Sequence, residues 1–149
     1  MSVPLEDAPS LTGLEQLQAL AASGRRPGLL GSLDIDLVEV AEGRVVFEGA
    51  PGLHHYNPLG SVHGGYAATM LDSACGCAVQ SRLGASQKSA TLELKVAYHK
   101  PIIAETGPVR AVGRVVTMGR RIAFADASLT DANGRLLASA TSTLVVLDN

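Results

Sequence analysis

The chain predicts an α+β fold, an antiparallel sheet wrapped around one long central helix, and three observations lead there. Its periodic segments run helix, two strands, long helix, four strands, which separates helices from runs of antiparallel strands. The stretch from Gly64 to Gln80 is almost wholly small or apolar, with Asp72 its only charge, so a helix built from it has to be covered on most sides. The strand segments alternate apolar and polar residues, as a sheet with one face on a core requires.

The elements follow in order. Thr12-Gly13-Leu14-Glu15 is a capping-box pattern, and Leu14, Leu17, Leu20 and Ala21 recur at helical spacing up to Gly24, which can end the helix. Gly24-Arg25-Arg26-Pro27-Gly28 is a loop by composition. Leu33, Ile35 and Leu37 alternate with Asp34 and Asp36 and predict a strand. Ala41-Glu42-Gly43 turns the chain, and residues 44–49 return as a second strand. Residues 50–61 hold two prolines and two glycines and read as a loop. The central helix is expected over 64–82. Its interior Gly76 costs up to about 1 kcal/mol relative to Ala, which makes sense if something packs closely on that face.

Strands then fill the rest. Leu92, Leu94, Val96 and Tyr98 alternate with Thr91, Glu93 and Lys95, and Pro101 ends that strand. Residues 109–117 form the next, Met118-Gly119-Arg120 a tight connection, and 122–130 the strand pairing back. Asp131-Ala132-Asn133-Gly134 is a strong turn signal. The last strand covers 136–147, with Leu136, Ala138, Ala140, Leu144 and Val146 expected on one face. Residues 1–28 read as an N-terminal helix and linker, and residues 29–149 as the main domain.

Composition narrows the function classes. A chain of 149 residues can bury one real core, and with 46% hydrophobic residues, 3% aromatics and no Trp that core is built from Val, Leu, Ile and Ala. A net charge of −2 with no long charged run argues against a nucleic-acid surface. No run of about 18 apolar residues predicts a membrane span. Residues Met1 to Asp7 lack a basic leader region, so a cytoplasmic protein with no membrane partner is expected. Cys75 and Cys77, two apart on a helix, point in different directions and read as reduced core thiols. No His, Cys and carboxylate spacing matches a metal site, and there is no serine-esterase elbow motif. No metal is expected.

The stretch that carries chemistry is Asn57-Pro58-Leu59-Gly60-Ser61-Val62-His63-Gly64-Gly65, followed by the helix bearing Asp72. A lone carboxylate on a buried helix is costly unless paired or used. A Gly-Gly step at a helix start offers unpartnered N–H groups, in the positive end of the helix dipole, with no Cβ to block approach. Together they point to a reaction that develops an oxyanion.

The spacing Asn57…Gly60…Val62-His63-Gly64-Gly65…Asp72 resembles the PaaI-like branch of the hotdog-fold acyl-CoA thioesterases. The strand Thr91-Leu92-Glu93-Leu94-Lys95-Val96 before Pro101, the Gly119-Arg120 connection and Asp131…Gly134-Arg135-Leu136-Leu137-Ala138 also fit. The resemblance spans roughly residues 29–147. It implies a hotdog fold, hydrolysis of a small aryl- or medium acyl-CoA thioester, and a homodimer, often paired into a tetramer, with active sites at the dimer interface. Coenzyme A would belong to the substrate, so no separate cofactor is implied. By position, Gly64 would supply the oxyanion-hole N–H, Asp72 the carboxylate and Asn57 a polar partner for thioester or water. Thr91, with Ser89 close by, lies where a Ser or Thr often assists. Asp72 could serve as general base or as nucleophile. His63 and Gly65 are substrate-binding candidates beside Gly64, although His63 also suits a structural bond to loop backbone. Arg120 and Arg121 are candidates for the phosphates of CoA. His54 and His55 read as loop histidines.

A separate geometric argument concerns assembly. Eight helical residues from Gly64 to Asp72 rise about 12 Å, whereas a carboxylate must come within about 3–3.5 Å of the reacting carbon or its water. Two antiparallel copies related by a twofold axis can place the start of one helix opposite the middle of the other. A hydratase or dehydratase on the same fold, acting on enoyl-CoA, is the competing enzyme. It would want a His working with the Asp, but Cys77 stands five after Asp72 and no His follows before His99. A non-catalytic acyl-CoA-binding module is the third reading.

Overall fold

The computed structural model describes residues 11–148. The reading of Met1 to Asp7 lies outside the described residues. Helix α1 spans Gly13–Ser23, and its N-cap is the one the sequence predicts: the Thr12 hydroxyl accepts from the Glu15 N–H at 3.2 Å. Gly24 closes it with φ +66°, a conformation that favours glycine. A short helical turn, α2 (Leu29–Ser32), follows in a stretch to which the sequence pattern assigned no element. The strand β1 is Ile35–Ala41 and does not begin at Leu33, because Asp34 takes φ +57° and breaks the alternation there.

Strand β2 is Arg44–Gly49 and α3 is Gly64–Gln80. The remaining strands are β3 (Gln87–Tyr98), β4 (Val109–Met118), β5 (Ile122–Asp131) and β6 (Leu136–Asp148). They form one antiparallel sheet in the order β1-β2-β4-β5-β6-β3, curled around α3. The concave face supplies Phe47, Val109, Ala111, Ala123, Ala125, Leu129 and Leu144, and α3 supplies Tyr66, Ala67, Met70, Leu71, Ala74, Cys75 and Val79. Small residues on the strands let a helix sit this close. At Gly113 a Cβ would collide with the Ala74 carbonyl of α3. Since both are backbone, neither can yield cheaply, and Gly113→Ala is expected to destabilise by about 1–3 kcal/mol. A lower denaturant midpoint at unchanged slope is the measurement.

Bulges adjust which residues face inward. In β6 the register slips beside Thr130, so Leu137 is buried and Leu136 turns outward, contrary to the simple alternation. In β3 an extra residue, Leu92, interrupts pairing with β6 between Thr91 and Glu93. Leu92 is thereby 60% exposed, and Thr91 joins Leu94 and Val96 on the face toward α3. Period-two counting places Thr91 on the opposite face. Among the described residues strand β3 is an edge, paired only with β6.

The face of α3 carrying Gly65, Thr69, Asp72, Ser73 and Gly76 is not fully covered. The expected close neighbour of Gly76 is absent among the described residues: a Cβ there meets nothing within 4 Å.

Candidate active site

The loop before α3 is tied down backbone to backbone. Asn57 N–H donates to the Ser61 carbonyl at 2.8 Å, Val62 N–H to Ile102 at 2.8 Å, and His63 N–H to His55 at 2.8 Å. The Asn57 side chain folds the same loop. Its Oδ1 accepts from Leu59 N–H at 2.8 Å and Ser61 N–H at 3.3 Å, while its amide nitrogen donates to the Ser61 hydroxyl at 3.2 Å. The oxygen is therefore occupied, and what Asn57 can still offer a ligand is an N–H.

His63 is the N-cap of α3, and its Nδ1 accepts from the Gly65 N–H at 2.8 Å. The structural side of the His63 expectation is thus present in the chain, and the Gly65 N–H is taken. The Gly64 N–H has no hydrogen-bond partner among the described residues. It opens beside a cavity of about 320 Å³ lined by residues including Asn57, His63, Gly64, Tyr98 and Lys100. Tyr98 and Lys100 were missed by sequence reasoning. The signal available was their position at the end of the strand before Pro101.

Asp72 is half-buried and lies on a different cavity of about 330 Å³, shared with Pro27, Leu29, Leu30 and Leu94. The Thr91 hydroxyl donates to Asp72 Oδ1 at 2.9 Å, so Thr91, and not Ser89, is the hydroxyl brought to the acid. The other carboxylate oxygen has no partner among the described residues. Within one chain, then, Gly64 and Asp72 open onto separate pockets. Arg120 and Arg121 are exposed at the β4–β5 connection and line neither of these two cavities.

The two cysteines are free. Burial pushes both thiols up to about 12, with the Asp72 carboxylate as the second contribution. At pH 8 they are protonated and slow toward thiol reagents. A thiol-reactive dye is expected to react slowly with the half-buried Cys77 and hardly at all with the buried Cys75 in the native protein, and with both after denaturation. The Tyr66 hydroxyl, buried and without a hydrogen-bond partner among the described residues, is likewise pushed up to about 12, by burial first and by Asp34 second.

One cluster escaped sequence spacing. Asp34, His54 and His55 place potential ligand atoms within 4.8 Å of one another. His55 Nδ1 accepts from Gly52 N–H at 3.1 Å, Asp34 pairs with Arg26 at 3.3 Å and lies 3.4 Å from His54 Nε2, and the buried His55 Nε2 has no hydrogen-bond partner among the described residues. His55 is buried, so only His54 is the exposed loop histidine expected.

Comparison with known proteins decides the class. The family model described as thioesterase superfamily matches residues 59–138, over half of the chain and including Gly64, Asp72 and Thr91. The chain belongs to the thioesterase superfamily. This member is 29% identical over 130 residues to human acyl-coenzyme A thioesterase 13, covering 83% of this chain and 86% of that one. A candidate esterase of Saccharolobus solfataricus is 36% identical over 87 residues, covering 58% of this chain and 56% of that one, so the match spans little more than half of that relative. Among solved structures, a thioesterase family protein from Silicibacter pomeroyi superimposes with a TM-score of 0.78 at 29% identity, covering 89% and 98% of the two chains. A Streptococcus mutans protein bound to acetyl-CoA gives a TM-score of 0.69 at 27% identity, covering 77% of this chain and 90% of that one. The sheet curled around α3 is the hotdog fold of this family, and the enzyme class is thioester hydrolase. Among the described residues no helix is long and apolar enough to cross a membrane.

Proposed function

We propose that the chain hydrolyses small aryl- or medium acyl-CoA thioesters at a site assembled from two antiparallel copies of itself. The observation that carries this reading is the division of labour between the pockets. An unpartnered helix-start N–H lies on one, and a half-buried carboxylate held by a threonine lies on the other. Neither pocket alone holds both the Gly64 N–H and a carboxylate.

Three further features support the pairing. The incompletely covered stripe of α3 is made of Gly65, Thr69, Asp72, Ser73 and Gly76, which allow a second helix close approach. Strand β3 leaves an unpaired edge. Leu92 and Tyr98, large side chains on that strand, are 60% and 56% exposed.

In the composite site, Gly64 N–H of one copy points at the thioester oxygen, with the Asn57 amide N–H beside it. Asp72 of the other copy takes a proton from water as general base, or attacks directly as nucleophile, with Thr91 holding one oxygen so that the other faces the reaction. Attack of the water oxygen or of the carboxylate on the thioester carbon gives a tetrahedral oxyanion, which collapses as the C–S bond breaks and the CoA thiolate leaves to be protonated; on the nucleophilic route water then hydrolyses the acyl–Asp72 anhydride to the free acid and restores the carboxylate. Preorganised donors fit that oxyanion better than the ground-state carbonyl, which lowers the barrier. Lys100, which lines the Gly64 pocket, supports a phosphate contact there, and Arg120 and Arg121, exposed at the β4–β5 connection, are further candidates for the phosphates of CoA. A panel of acyl-CoAs followed by thiol release tests the reading. Tight binding with no turnover, or double-bond hydration without thiol release, would sink it.

A further inference from the structure

We propose that Tyr98 is a positioning residue for the oxyanion donor, acting with His63 as a two-sided clamp on the peptide joining Gly64 to Gly65. The inference rests on the reading above that the Gly64 N–H is that donor.

The front of a helix is its least constrained part, since its first N–H groups lack intrahelical acceptors. Two consecutive glycines loosen it further, having no Cβ to restrict the backbone. Yet a donor stabilises a developing charge well only if it is aimed beforehand. Here the trans peptide between Gly64 and Gly65 is held at both edges. Its N–H donates to His63 Nδ1 at 2.8 Å, and its carbonyl accepts from the Tyr98 hydroxyl at 2.7 Å. The two bonds pull from opposite sides of one rigid plane, so that plane cannot rotate without losing one of them. The Gly64 N–H is attached to the Cα that starts this plane. Fixing the plane on one side and the N-cap residue on the other, at φ −57° and ψ 135°, fixes the direction of the N–H.

The Tyr98 ring adds a steric stop. A Cβ at Gly64 would lie 3.0–3.3 Å from its hydroxyl and ring carbons, so the glycine backbone sits directly against the ring. Stability does not account for this bond. Tyr98 is 56% exposed at the end of an edge strand, where water could satisfy both partners at little cost. Its strand alternation with Leu94 and Val96 turns it toward α3, so the edge strand itself delivers the clamp.

Tyr98→Phe keeps the ring and the pocket wall and removes only the hydroxyl. The expected result is a fall in kcat of about 5- to 20-fold with KM within about twofold and an unchanged melting temperature. Amide hydrogen exchange at Gly65, read by NMR, is expected to speed up by about fivefold or more as the plane loosens. An active enzyme whose kcat is unaffected, or whose KM alone rises, overturns the proposal and makes Tyr98 a wall. If the unmodified protein releases thiol from no thioester, the functional reading fails instead. The Gly65 exchange comparison still judges the clamp in that case, and unchanged exchange overturns it.

Discussion

Replacing Asp72 by Asn is expected to lower kcat for acyl-CoA hydrolysis by about 100- to 10,000-fold, the range for losing a positioned acid–base group. The substitution is nearly isosteric. Its Oδ1 can still accept from Thr91, as the carboxylate does at 2.9 Å. The residue is half-buried on the open stripe of α3, away from the tightly packed Met70, Leu71, Ala74 and Cys75, so the fold should be unaffected. What disappears is the charge and the ability to take a proton or attack. Thiol release measured alongside circular dichroism and substrate binding separates these effects. Native spectra, retained binding and lost turnover are the expected combination, whereas unchanged turnover would remove Asp72 from the site. A second readout is built in. The Asp72 charge helps push Cys77 up, so that thiol should become easier to ionise in the Asn variant.

Mixing two dead variants should restore activity. Gly64→Pro deletes the unpartnered N–H and suits the backbone of a first helical position, where proline is favoured, although its Cβ meets the Tyr98 ring at 3.0–3.3 Å and this exposed side chain has to give by a few tenths of an ångström. The preceding His63, at ψ 135°, already has the conformation proline demands of its neighbour. Alone, this variant should lose about 100- to 1,000-fold in kcat. After unfolding and refolding with Asp72→Asn, random pairing makes half of the dimers mixed. Each mixed dimer has one site with both defects and one site with neither, so about a quarter of the wild-type activity should return. If tagged mixed dimers are isolated and remain inactive, oxyanion donor and carboxylate belong to the same copy and the shared-site mechanism is wrong.

Much of this was legible in the sequence because local signals and tertiary demands agree. The Thr12 cap, the Gly24 stop, the strand of residues 44–49 and the Asp131–Gly134 turn all appear where periodicity and turn chemistry put them. The turn forms as written, with Asp131 Oδ1 accepting from the Asn133 and Arg135 N–H groups at 2.9 Å each. Two of the misses share one physical origin. Counting by two cannot see an inserted residue, so the bulges at Leu92 and beside Thr130 reversed the faces assigned to Thr91 and Leu136. Likewise, Asp34 in the left-handed region moved the start of β1, a conformation that Asn and Asp reach more readily than most residues but that no pattern announces. At the site, Gly64 and Asp72 were readable because each is costly or unusual in its local context. Tyr98 was not, since an aromatic on a strand is ordinary until its hydroxyl is seen to reach Gly64.

The separation of the two pockets on one chain has a consequence for the cell. If chemistry requires an encounter between copies, then below the self-association constant output grows with the square of expression level. Halving the supply of the protein would cut flux about fourfold, and thioesters would be spared until enough of it accumulates.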